Sequence, residues 1–312
     1  MYDRFVDILS DAVSAIRTGS PGSGLFIRHA PWGRDYPVVP GAGFHVVLEG
    51  SCWLRPRVGD AIALGVGDVV FMPRGAEHVL ADDPATPVTE VARPGEPREI
   101  SGPGRRSVLL CGAYALDRRH PHPMLDGLPE FVHLPARLGR HPSLRSAVDL
   151  LAAELSGPRA GTDAVLPSLL DVLLLYILRA WFEEDGAGST TPTGWIAAFR
   201  DMPVARALRA IHAAPGRAWT VEQLAAEAGV SRATLARRFA ATIGEAPLSY
   251  ATRWRMILAA KRLRDSGDSI AVVAGRAGYG SEFAFAKAFK REFGMAPGRY
   301  RKDSANPDLI AV

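Results

Sequence analysis

At 312 residues, with 47% hydrophobic and 22% charged residues, the chain is ordinary globular material, long enough for two domains of roughly 100 to 200 residues each. Two cysteines, Cys52 and Cys111, exclude a disulfide framework and a four-ligand zinc site. The net charge of +4 conceals a partition: residues 195–302 hold 19 Lys plus Arg against 8 Asp plus Glu, so a basic C-terminal region is joined to an acidic remainder.

In chain order, the opening MYDRFVDILSDAVSAI reads as an amphipathic helix. Asp3, Arg4 and Asp7 stand where a secretion signal would have a basic start and an unbroken apolar stretch. Residues 24–115 carry short apolar runs, FHVVLEG, CWLRP and DVVFMP, separated by Gly and Pro, which predicts several short strands in a sandwich or barrel. Cys52 and Cys111 lie inside such runs, where a thiol behaves as a small hydrophobe; a redox-sensing pair is the alternative. His120 and His122 fall in a Pro-rich loop and read as solvated, while Glu77 and Asp82 are expected at a barrel mouth or in solvent. From residue 143 to 184 the spacing turns helical, with Leu144, Val148, Leu151 and Leu155 on one stripe and LLDVLLLYILRAWF after Pro167. Two helices are predicted, as core or as a dimer interface. Pro167, Asp171 and Arg179 interrupt the most apolar stretch, so a membrane span is not expected and a soluble, cytoplasmic protein is. GAGSTTPTG at 186–194 has no periodicity and reads as a linker. The expected division is therefore 1–185, a linker at 186–194, and 195–304.

The basic region contains an internal repeat at an offset of 50 residues. SRATLARRFAATIGEAPLSY (231–250) aligns without a gap on SEFAFAKAFKREFGMAPGRY (281–300), and Ser, Ala, Phe, Gly, Ala, Pro and Tyr recur at matching positions. Each copy reads as helix, tight turn, helix. Thr220 and Gln223 form a capping box for VEQLAAEA, Gly229 ends that helix and Ser231 caps the next. Ser269 opens IAVVAGRA, Gly278 and Gly280 flank the turn, and Ser281 caps the last helix. A helix over 248–265, about 27 Å long, would hold the two units about one DNA turn apart.

If Leu235 and Phe239 point inward, then Ala233, Arg237 and Ala240 point outward with Thr234 beside them. In the second unit the outward stripe is Phe283, Lys287 and Lys290, with Ser281 and Glu282 at the helix start. Arg237 and Lys287 can bond guanine edges, and Glu282 can accept from a cytosine amine. Phe283 either touches a thymine methyl or is buried against a neighbouring helix. Arg232, Arg238 and Arg291, toward the stripe edges, suit phosphates.

Residues 197–302 resemble the AraC-type DNA-binding domain, and GYGSEFAFAKAFKREFGMAPGRYR (278–301) resembles the signature of that family's second helix-turn-helix. The resemblance implies seven helices, two recognition helices in adjacent major grooves, and RNA polymerase as a partner. Base-reading positions would fall on Ala233, Ala236 and Arg237, then on Glu282, Phe283 and Lys287. In the front half, GDVVFMPRGAEH (67–78) resembles the second motif of the cupin barrels. His45 and Glu49 resemble the second His and the Glu of the first motif, whose first His is replaced by Gly43. By that likeness His45, Glu49 and His78 would hold a divalent metal; the alternative is a His pair bonded within the barrel or lining an effector pocket. The whole resembles the cupin-domain subgroup of AraC-family regulators. The expectation is an α+β, multidomain, sequence-specific transcription regulator: a cupin-like barrel with flanking helices, a tandem helix-turn-helix domain, a small-molecule effector and a homodimer. No nucleophile with a positioned base suggests an enzyme.

Overall fold

Period-two alternation in the front half places every second side chain on a barrel wall. The computed structural model describes residues 7–19, 21–93, 98–116, 123–137, 139–157, 159–188 and 194–304. After helix α1 (Ile8–Ile16) come strands β1 (Gly22–His29), β2 (Gly33–Tyr36), β3 (Ala42–Glu49), β4 (Cys52–Pro56), β5 (Ile62–Leu64), β6 (Val69–Met72), β7 (His78–Ala81), β8 (Glu90–Val91), β9 (Glu99–Ile100) and β10 (Arg106–Tyr114). Helix α2 (Pro123–Asp126) and strand β11 (Val132–Leu134) follow, then helices α3 (Pro142–Ser156) and α4 (Thr162–Gly188). The remaining helices are α5 (Gly194–Arg200), α6 (Met202–Ala213), α7 (Val221–Ala228), α8 (Arg232–Ile243), α9 (Pro247–Asp265), α10 (Ile270–Arg276), α11 (Glu282–Phe293) and α12 (Pro297–Ser304). The described residues fall into two compact units. A β-rich unit lies within Gly19–Arg118 and Leu128–Glu184, and a helical unit lies within Met1–Thr18, Arg119–Gly127 and Asp185–Asp308.

In the β-rich unit one sheet runs β11-β6-β3-β10-β1-β9 and the other β5-β4-β7-β2-β8. Phe26, Trp32, Val47, Leu54, Val70 and Leu80 form the core between them, together with Cys52 and Cys111. β3 is buried on both faces: His45 and Val47 belong to one face, Phe44 and Val46 to the other. The second face needs a cover, which α4 helps supply; Phe44 packs on Tyr114, and the Tyr114 hydroxyl donates to the Leu170 carbonyl at 2.9 Å. The two helices expected between 143 and 184 are thus α3 and α4, and α4 runs through Pro167, which sits in its second turn. By length and composition the Thr162–Glu184 stretch, with mean hydropathy 1.8, is long and apolar enough to cross a membrane, against the sequence reading. Leu170, Leu173, Leu174, Ile177 and Leu178 are nonetheless buried within the unit, so much of that apolarity is core.

The helical unit has its own core, with Met256, Leu263, Val273, Phe285, Phe289, Phe293 and Tyr300 around the second repeat. Its caps fall where the sequence places them: Thr220 and Gln223 complete a capping box, and Ser231, Ser269 and Ser281 each accept an N-terminal amide. Gly244 and Gly294 end α8 and α11 at φ +85° and +71°, the left-handed region that glycine enters without a Cβ penalty. One element sits differently from the expected division. α1 groups with the helical unit, because Ile8, Leu9, Ala12, Val13 and Ala15 form a buried stripe packed on α6 and α9. His120, His122 and most of the expected linker, at 189–193, lie outside the described residues.

Candidate nucleic-acid interface and barrel cavity

On α8 and α11 the inward positions Leu235, Phe239, Phe285 and Phe289 are fully buried, which fixes the opposite face toward solvent. Ala233, Arg237 and Ala240 are exposed on α8; Thr234 is half-buried, its amide held by the Ser231 hydroxyl at 3.2 Å. Ala236 is half-buried, as is its repeat partner Ala286, so of the α8 positions that the resemblance marks for base reading only Ala233 and Arg237 are exposed. On α11, Ser281, Glu282, Phe283, Lys287, Lys290 and Arg291 are all exposed. Phe283 is 81% exposed. The reading in which it is buried against a neighbouring helix is therefore wrong. α11 begins at Glu282, so Phe283 projects from the first turn, beyond the reach of the aromatic core that Phe285, Phe289 and Phe293 build.

Ion pairing separates the cations. Arg232 is paired with Glu222, and Arg238 donates to Asp201 at 2.7 Å while the other carboxylate oxygen of Asp201 caps α6. Among the described residues no carboxylate pairs with Arg237, Lys287, Lys290 or Arg291. Those four charges stand in water with their donors unspent, as a surface that meets phosphates and base edges requires. Arg238, assigned to phosphate by the sequence, already serves as a tie between α8 and α6.

In the β-rich unit a cavity of about 100 Å³ opens between the sheets, lined among others by Phe26, Tyr36, Val39, Met72 and Ala113 and by His45 and His78. Liquid-like occupation by one water needs only ~10–15 Å³, so there is room for a small organic molecule. His78 follows the turn at Gly75, whose φ of +59° and close approach to the Val39 carbonyl leave no space for a side chain. The two imidazoles meet Nε2 to Nε2 at 2.8 Å, and Tyr36 stacks on His78 with ring planes 3° apart. Burial lowers the His78 pKa from 6.5 to about 4 and holds His45 well below its ordinary value, so both rings are neutral. The Ala76 carbonyl can only accept, so His78 Nδ1 carries the proton that binds it at 2.8 Å. His78 Nε2 is then a lone pair, His45 Nε2–H donates to it, and His45 Nδ1 is left as a bare, buried acceptor without a partner among the described residues.

Glu49 does not join them. It ends β3 past a register irregularity in the β3–β10 pairing, exposed at the rim and ion-paired with Arg106. The set of two His and one carboxylate is therefore not assembled, and among the described residues no group of three or more His, Cys, Asp or Glu is placed to hold a metal ion. His45 also lacks the acceptor that normally orients a metal-bound imidazole through its other nitrogen. These residues do not fit a metal. The cysteines share the same core; burial pushes both thiols up to about 12, which keeps them as thiols and suppresses thiolate chemistry.

Two arginines that sequence reasoning passed over are part of the cavity's surroundings. Arg28 and Arg34 are buried, both pair with Glu90, and the Arg34 guanidinium lies 5.1 Å from the ring centres of Phe26 and Tyr36. For Arg28 the available signal was its phase, an inward position in the alternating strand β1; the short strand β2 gives no such signal for Arg34.

Residues 7–183 match the Cupin family and residues 224–303 a Helix-turn-helix domain. An AraC-like transcription regulator of Streptomyces lividans is 34% identical over 97% of this chain and 100% of its own length. The chain belongs to the AraC-type transcription regulators that carry an N-terminal cupin domain. The HTH-type transcriptional regulator MtrA of Neisseria gonorrhoeae is 31% identical over 97% of this chain and 98% of its own. Among solved structures, the DNA-binding domain of AdpA in complex with a target DNA is 33% identical, with a TM-score of 0.32, over 35% of this chain and 99% of that one. This regulator thus joins a cupin to a DNA-binding helix-turn-helix domain.

Proposed function

We propose that this regulator reads a bipartite DNA site through Arg237 on α8 and Glu282, Phe283 and Lys287 on α11, and that a small effector in the cupin cavity modulates that binding. Lys290 and Arg291 contribute phosphate contacts, Arg232 and Arg238 only after exchanging their carboxylate partners for DNA. The effector is a mostly apolar molecule with a hydrogen-bond donor. The observation that carries this is the unpartnered Nδ1 of His45 beside an apolar cavity, since an unsatisfied buried polar atom costs about 1–3 kcal/mol and calls for an explanation.

The protein acts in the cytoplasm as a homodimer and works through RNA polymerase, with no catalytic step of its own. Leu150, Val165 and Val172, exposed on α3 and α4, support a partner surface there, and occupation of the cavity shifts that surface or the helices behind it. The test is selection of binding sites from a random DNA library by the full-length protein, with and without a cell extract of small molecules. A directional motif covering two adjacent major-groove segments is expected, with an extract-dependent change in enrichment. If His45→Ala plus His78→Ala, in folded protein, leaves that response unchanged, the effector site is elsewhere.

A further inference from the structure

The two repeats end in equivalent tyrosines, Tyr250 and Tyr300, and both are buried. Each hydroxyl is bound by a side chain from the preceding long helix: His212 Nε2 lies 2.7 Å from Tyr250, and Arg264 donates to Tyr300 at 2.8 Å. Ile211–His212 at the end of α6 and Leu263–Arg264 at the end of α9 occupy matching places, although a shift of 52 rather than 50 residues hides them from the gapless repeat. Both side chains then reach the same third element. His212 Nδ1 lies 3.3 Å from the Asp11 carboxylate, and Arg264 donates to the Ala15 and Arg17 carbonyls at 3.2 and 3.0 Å.

Burial lowers the His212 pKa, which favours the neutral ring, and Asp11 can only accept. Nδ1–H therefore donates to Asp11, and the Tyr250 hydroxyl donates to Nε2. The first link is a directed relay, Tyr250 to His212 to Asp11. The second is a guanidinium fork with one arm on Tyr300 and the other on the C-terminal carbonyls of α1, where a cation is favoured. Between the two links Ala12 is fully buried and Val13 nearly so, as is Leu9 just before them.

We infer that α1, some 200 residues away in sequence, is a clasp that fixes the two helix-turn-helix units relative to each other, with Asp11, His212 and Arg264 as positioning residues for DNA recognition. α9 joins the units, and the Gly216 backbone before α7 packs closely on Gly278 in the second turn; α1 adds a further connection, anchored at one end to α6 of the first unit and at the other, through Arg264 of α9, to Tyr300 of the second. The spacing between the two recognised DNA segments is then set by α1 as well as by α9 and the Gly216–Gly278 approach.

The test uses the full chain and its selected operator in three forms: native, lengthened and shortened by one base pair between the two segments, together with each segment alone. Wild type is expected to prefer native spacing by about tenfold or more. Ala12→Arg, which pries α1 from its seat, should reduce that preference to about threefold or less, with affinity for each single segment unchanged. Asp11→Ala removes a carboxylate that is 45% exposed and leaves the apolar contacts intact, so it decides the matter if the arginine variant does not fold; it should reduce the preference about twofold. An unchanged spacing preference in a folded variant overturns the inference. Equal weakening on single segments and on the paired operator does so as well, because α1 would then only stabilise the fold.

Discussion

Arginine does opposite work in the two units. In the cupin, Arg28 and Arg34 are 1% and 3% exposed, tied to Glu90 and packed over aromatic rings. In the helical unit Arg237, with Lys287 in the matching place on α11, stands in water and pairs with no described carboxylate. A buried charge is committed to the fold, because removing its partner strands the other charge in low dielectric. An exposed one is nearly neutral for folding and keeps its donors for a polyanion. The sensor and the DNA reader are therefore separable by which property a substitution moves.

The largest effect is expected for Arg28→Ala. Loss of its bonds to Glu90 and to the Ile27 and Arg98 carbonyls should cost about 3–5 kcal/mol of stability in chemical denaturation, with base preference unchanged. A loss below about 1 kcal/mol would mean that the buried cation is dispensable, and would break the comparison.

Acid sharpens it next. His45 and His78 titrate lower in the folded protein than in the unfolded chain, so the unfolded chain takes up protons first as pH falls. The stability they confer is whole above about pH 6.5 and is lost on the way down to about pH 4. Denaturation midpoints followed from pH 7 to pH 4 should fall by an amount worth a few kcal/mol. With both histidines replaced by Gln that slope should flatten.

Substitutions on the DNA face should leave stability alone and change affinity. Arg237→Ala and Lys287→Ala should each weaken the selected site by about 1–3 kcal/mol and relax preference at one base position. Uniform weakening over all sequences, read by the same library, would make them phosphate contacts. α8 exposes alanine around Arg237, its one arginine that pairs with no described carboxylate, whereas α11 exposes Glu282, Phe283 and Lys287, so the α11 segment of the motif should be the more stringent. The smallest effect belongs to Arg238→Ala. Loss of its tie to Asp201 should lower stability by no more than about 1 kcal/mol, with a slight loss of affinity.

Much of this regulator follows from local pattern. The Ser caps, the Gly termini and the 50-residue repeat each draw on neighbours a few residues away, so the recognition helices and their outward faces were readable from sequence, as was the turn that carries His78. Tertiary structure decided the rest, wherever function depends on residues distant in the chain. His45 and His78 meet across the barrel but Glu49 stays at the rim, because the β3–β10 pairing shifts register just before it and Arg106 holds its carboxylate there. Phe283 looked as apolar as Phe285, and only the packing of α11 placed one in solvent and the other in the core. α1 read as a helix of the first domain, since amphipathicity gives a buried face and not its partner. Its seat between His212 and Arg264 depends on contacts spanning about 200 residues and more, which no local rule encodes.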